Sequence, residues 1–169
     1  SDKIAQNACV PSGMEYNIHE GCGDMDKQVF KERVAHFVSQ RVRDEGTINA
    51  MMDMELVAAD YDSKTVVLSF PIKDWQMNPA GNLHGGMIAT ALDITMGCIS
   101  YVIQDVVFTP TIQMAVNYVG GVSSGDTLIV EGICDHDGSR MSQTRAIARS
   151  KNSGRVVATA NGSYIMNTK

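Results

Sequence analysis

The chain has 169 residues, 44% of them hydrophobic and 20% charged, which favours one globular domain with a substantial core. Its net charge of −5 argues against general nucleic-acid binding. The cysteines (Cys9, Cys22, Cys98, Cys134) show no C-x-x-C spacing and no secretory signal pattern opens the chain, so a cytoplasmic protein with Cys98 and Cys134 as buried free thiols is expected.

Residues 1–25 are poor in apolar periodicity and read as a loose arm. Within it, His19-Glu20-Gly21-Cys22-Gly23-Asp24 holds metal-ligand residue types at a spacing that matches no common zinc pattern, and a solvated loop is the better reading. From Asp26 to Arg43, Val29, Phe30, Val34, Phe37 and Val38 recur at helical spacing and predict an amphipathic helix over the core or a dimer seam. A helix-turn-helix would need a second helix close behind; Asp44-Glu45-Gly46-Thr47 breaks the pattern and Met51 onward reads as strand. Met51 to Ala59 and Lys64 to Ile72 are the first two predicted strands, joined by a turn at Asp60-Tyr61-Asp62-Ser63. Pro71 marks an edge or a strand end. Trp75 follows in a loop, either lining a pocket or packing at the entrance of the next helix.

Asn78-Pro79-Ala80-Gly81 suits a type I turn. Gly85 and Gly86 then stand where a long apolar helix should begin. Between His84 and Gln104 the only formal charge is Asp93. The apolar residues of that stretch fall on nearly every side, as in a buried helix. Asp93, Thr90, Thr95, Gly97 and Ser100 interrupt it, which favours a core helix over a membrane span. A carboxylate there costs free energy unless neighbours hydrogen-bond it or its chemistry is used. Both readings stand on the helix alone. Glycines at the helix start bare backbone N–H groups at the positive end of the dipole, which suits an anion or a carbonyl oxygen becoming one. They equally permit close packing. His84 by itself reads as a structural hydrogen bonder, and His36 and His136 read as surface residues.

Strands are predicted at Thr111–Val119, Asp126–Asp135, Arg140–Ser150 and Arg155–Asn167, with a hairpin at Asp137-Gly138. Arg140, Arg145, Arg149, Lys151 and Arg155 make this end locally basic, either a phosphate-binding region or a solvated strand face. The pattern is helix, two strands, buried helix and a four-strand meander: an α+β arrangement with an antiparallel sheet.

Asn78, Gly81, Leu83, His84, Gly85 and Gly86 form N-x-x-G-x-L-H-G-G, and Asp93 follows eight residues after Gly85. This resembles the hotdog-fold acyl-CoA thioesterases of the PaaI-like type. Thr111-Ile112-Gln113-Met114-Ala115-Val116-Asn117-Tyr118 is similar to the family strand that carries a Ser or Thr at its start. The resemblance covers roughly Met54 to Met166. It implies a hotdog fold, with the sheet wrapped around the long central helix, at 46–169, behind an extra N-terminal arm and helix at 1–45. It implies hydrolysis of an acyl-CoA thioester, with coenzyme A part of the substrate and no metal or other cofactor. It gives Asp93 the task of activating water, as general base or nucleophile, and the Gly85 N–H that of oxyanion donor. Asn78 would help polarise the carbonyl, His84 fix the turn, and the Thr111 hydroxyl hold the water. Gly86, Ser139 and Arg140 would bind substrate, the last two at the nucleotide. The family pattern implies a homodimer or homotetramer with sites shared between subunits, and neither nucleic acid nor membrane as partner. A non-catalytic acyl-CoA sensor and an acyl-thioester hydratase or dehydratase on the same fold are the alternatives. The acyl pocket is expected to be lined by the central helix and the loop near Trp75, with Met87 and Met96 as adaptable fillers.

Overall fold

A computed structural model describes residues 22–104, 106 and 108–166. In chain order these form α1 (Cys22–Arg43), α2 (Ile48–Met51), β1 (Glu55–Asp60), β2 (Thr65–Pro71), a 3₁₀ turn (Asp74–Gln76), α3 (Gly85–Ile103), β3 (Thr111–Tyr118), β4 (Thr127–Asp137), β5 (Met141–Ser150) and β6 (Val156–Ile165). Six strands make one antiparallel sheet in the order β1-β2-β4-β5-β6-β3. The sheet packs around α3, whose Ala91, Leu92, Met96, Cys98 and Ile99 are fully buried. This is the α+β hotdog arrangement, with α1 as the extra N-terminal helix.

The polar residues of α3 are satisfied within the fold. Thr90, Thr95 and Ser100 each donate a hydroxyl hydrogen bond to the carbonyl four residues back. Ser142 donates to the Ser100 hydroxyl at 2.8 Å. α3 is long and apolar enough to cross a membrane by length and composition, and here those apolar residues are spent on the sheet. Gly132 lets β4 approach it closely: a Cβ there would stand 3.0 Å from the Thr95 methyl. The helix α1 joins the same core through Phe30, Val34, Phe37 and Val38. Cys98 and Cys134 are buried free thiols. Burial raises both, the Cys134 thiol to about 11 with the charge of Asp137 adding to it.

Three expectations are corrected. The first strand begins at Glu55, because Thr47 caps a single helical turn at Ile48–Met51, its hydroxyl accepting from the Ala50 N–H at 3.3 Å. At four residues that turn is far short of a recognition helix. The helix α1 begins at Cys22, inside the stretch read as loose arm. The remaining His19–Asp24 reading, and Cys9, fall on residues and side chains outside the described set. Finally, the last four strands are not a meander. Only β4, β5 and β6 follow one another; β3 crosses to the far edge and pairs with β6, Thr111 opposite Tyr164. The crossing leaves β3 an edge strand with Ile112 51% and Tyr118 53% exposed.

Candidate active site

The turn before α3 forms as its sequence dictates. The Gly81 N–H donates to the Asn78 carbonyl at 3.0 Å, and Gly81 takes φ +75°, a conformation glycine adopts without strain. The Asn78 side chain holds the rest: its Oδ1 accepts from the Ala80 and Asn82 N–H groups at 3.0 and 3.1 Å. Its oxygen is therefore committed to the turn, and what the side chain has left to offer is its amide N–H groups. His84 is the N-cap of α3. Its Nδ1 accepts from the Gly86 N–H at 2.9 Å, and its own N–H donates to the Gln76 carbonyl at 2.9 Å. The cap thus uses Gly86 and leaves Gly85: among the described residues no acceptor takes the Gly85 N–H. It lies in the first turn, where the helix dipole is positive.

Eight residues on, Asp93 is half-buried in the middle of α3. Its Oδ1 accepts from the Thr111 hydroxyl and from the Tyr164 hydroxyl, each at 2.9 Å. Both donors meet one oxygen, so Oδ2 is left to the adjoining cleft. That cleft, of about 390 Å³, is lined by Asp93, Thr111 and Tyr164 together with Phe37, Arg41 and Asn49 of the N-terminal region, Ile94, Gly97 and Tyr101 of α3, and residues 108–110. The carboxylate and the predicted Thr111 are brought together. Gly85 and Asp93 are not: eight residues of helix separate them by about 12 Å.

Ser139 and Arg140 stand exposed at the β4–β5 tip. The Gln104 side-chain N–H donates to the Asp137 carbonyl at 2.6 Å, which fastens that hairpin to the C-terminal end of α3. Within one chain the tip is therefore a helix length, about 28 Å, from Gly85. The other basic residues do not gather around it. Arg145 pairs with Asp135 at 2.9 Å, and both it and Arg149 lie on the exposed face of β5. Trp75 is 47% exposed and lines no part of the cleft. Met96 is buried in the core and Met87 packs against it, so neither lines the acyl-sized space. Part of the cleft lining comes instead from α1, through Phe37 and Arg41, a helix whose sequence pattern predicts a cover for the core or a dimer seam.

Tyr164 is the site residue that sequence reasoning missed. Strand alternation puts it on one face of the last strand with Val156, Ala158, Ala160 and Gly162, and it is 1% exposed. Its signal was a hydroxyl on an otherwise apolar face, which needs a buried partner just as Asp93 does. Burial, then the Asp93 charge, holds its phenol far above the ordinary value, so it remains a donor. The sign of the linkage follows. Above the ordinary phenol value of 10.0 the unfolded chain releases this proton and the folded chain keeps it, so folding loses stability as pH rises past that point. Tyr164→Phe removes this contribution. Urea midpoints measured at about pH 9 and about pH 11 should fall less in the variant than in the parent. Equal falls would mean that Tyr164 is not held protonated by its surroundings.

Comparison with known proteins bears on this geometry. The family model described as thioesterase superfamily matches residues 80–157. No curated protein matches the sequence. Among solved structures, smu.793 from Streptococcus mutans UA159, bound to acetyl CoA, is similar at 26% identity and TM-score 0.62, over 69% of this chain and 90% of that one. A hypothetical thioesterase from Streptococcus pneumoniae TIGR4, with coenzyme A, is similar at 22% identity and TM-score 0.65, over 83% and 98%. The E. coli PaaI protein from the phenylacetic acid degradation operon shares the fold at 13% identity and TM-score 0.67, over 80% and 96%. The family match runs from the end of the turn through α3, β3, β4 and β5, and the chain has the hotdog fold that the PaaI protein shares.

Proposed function

We propose that the protein hydrolyses an acyl-CoA thioester to the free acid and coenzyme A. The observation that carries this is the Asp93 carboxylate, held on one oxygen by Thr111 and Tyr164 and open on the other to a cleft of acyl size. Thioester hydrolysis needs an activated water and a donor for the developing oxyanion. Asp93 takes the water, as general base or as nucleophile, with Thr111 and Tyr164 fixing its orientation. The Gly85 N–H, unclaimed at the start of α3 among the described residues, supplies the oxyanion donor, and the Asn78 amide N–H groups assist at the carbonyl. His84 serves by capping, since its Nδ1 is already an acceptor. Acetyl CoA and coenzyme A in two similar structures support the choice of carrier. Ser139 and Arg140 would meet its nucleotide.

The 12 Å between Gly85 and Asp93 has a consequence under this reading. One chain cannot apply both to one carbonyl, so the working site takes Gly85 from one copy and Asp93 with Thr111 from another. The edge strand β3, with Ile112, Tyr118 and Val119 all more than half exposed, suits pairing with a second copy. This reading implies a homodimer, or a homotetramer built as a dimer of dimers.

Thiol release from short, medium, long and aryl acyl-CoA esters tests the activity. Turnover on at least one ester is expected. Tight binding of esters with no turnover on any would make the protein an acyl-CoA sensor.

A further inference from the structure

We propose that Arg41 binds a carboxylate at the far end of the acyl group, so that the preferred substrates are thioesters of dicarboxylic acids. This rests on the thioesterase reading and deepens it. Asp93, Gly97 and Tyr101 follow one another at every fourth residue of α3 and all line the cleft, so they mark a track about 12 Å long leading away from the carboxylate. At the Tyr101 end the track meets α1. The Phe37 ring lies 5.6 Å from the Tyr101 ring, and the Arg41 guanidinium stands over the Phe37 ring, 5.2 Å from its centroid. Phe108, 59% exposed, completes an aromatic border.

Arg41 is half-buried and lines the cleft, yet among the described residues no carboxylate pairs with it. A guanidinium in such a place keeps its charge and offers a fork of donors that matches a carboxylate. The lining it shares with Asp93 includes apolar and aromatic side chains (Ile94, Phe37, Tyr101), which suit a methylene chain with an anion at its end. An anion on coenzyme A would also suit a guanidinium. The apolar walls favour the acyl group's own carboxylate over the phosphates of the carrier. Arg41 stands over Phe37, which meets Tyr101 at the end of the track away from Asp93, so the substrate carboxylate avoids the catalytic one.

The test compares octanoyl and suberyl thioesters on two carriers, coenzyme A and N-acetylcysteamine, which has no phosphates. The parent, Arg41→Met and Arg41→Gln are measured side by side, with thermal melting to establish that each is folded. The suberyl-to-octanoyl ratio of kcat/KM should drop about tenfold or more in both variants on both carriers, the loss of one charge-assisted pair. A ratio like the parent's overturns the proposal. A penalty for both acyl groups on coenzyme A and for neither on N-acetylcysteamine also overturns it, by assigning Arg41 to the carrier phosphates. Absence of turnover on every ester would be a failure of the thioesterase reading. The same ratio, taken from dissociation constants by calorimetry, then decides the role of Arg41.

Discussion

Asp93→Asn should lower kcat by about 10²–10⁴-fold on whichever acyl-CoA ester the parent turns over best, the range spanned by a positioned acid–base group. The fold should persist. Asn keeps a carbonyl oxygen in the place of Oδ1, so the Thr111 and Tyr164 hydroxyls retain an acceptor. The residue is only half-buried, so the new amide nitrogen can turn to the cleft and to water. What is lost is the negative charge and the basic oxygen facing the cleft. Thiol release with matched circular dichroism spectra checks both halves. Hydrolysis by Asp93→Asn at the parent's rate would remove Asp93 from the mechanism, and with it the reading of the cleft as an active site. Thr111→Ala should cost less, since Tyr164 remains on the same oxygen.

How much of this was legible depends on how far apart in the chain the partners lie. The turn at Asn78–Gly81, the cap at His84, the bare Gly85 and the lone Asp93 fall within one short stretch. Local rules for turns, caps and buried charges locate all of them. Tyr164 reaches Asp93 across 71 residues, through the pairing of β3 with β6, and no local rule joins a tyrosine on one strand to a carboxylate on a helix. The same pairing explains the misread meander. Successive antiparallel strands carry the same alternation whether or not neighbours in sequence are neighbours in the sheet. The crossing of β3 is decided by packing around α3 and by the edge it leaves exposed. α1 shows the limit most plainly. Its periodicity predicts an amphipathic helix and gives Phe37 a core position, but does not reveal that Phe37 and Arg41 border the cleft. Two of the mistaken lining residues, Met87 and Met96, share α3 with the correct ones, Ile94, Gly97 and Tyr101. A helix apolar all round does not declare which side faces a cavity.

Gly85→Pro should lower kcat about 10²–10³-fold, the usual cost of one oxyanion donor, with little change in melting temperature. Proline is suited to the first helical position, and what it deletes is the N–H. That N–H has no acceptor among the described residues, so no structural hydrogen bond goes with it. The preceding residue must be extended, and His84 already is, at φ −61° and ψ 136°. The nearest atom a Cβ would meet is on the Tyr118 ring at 3.4 Å, an ordinary contact. Alanine at the same position would keep the donor and should keep most of the activity. Mixing then tests whether sites are shared. When Asp93→Asn and Gly85→Pro chains are unfolded together and refolded, half of the dimers should be mixed, and each mixed dimer has one site with Asp93 and Gly85 both intact. Activity should return to about a quarter of the parent's, although each variant alone is nearly inactive. If each chain built its own site, no mixture could exceed its components. A refolded mixture confirmed as dimeric by sedimentation but still inactive would therefore confine Asp93 and Gly85 to separate tasks. The 12 Å between them would then need a substrate long enough to touch both within one subunit.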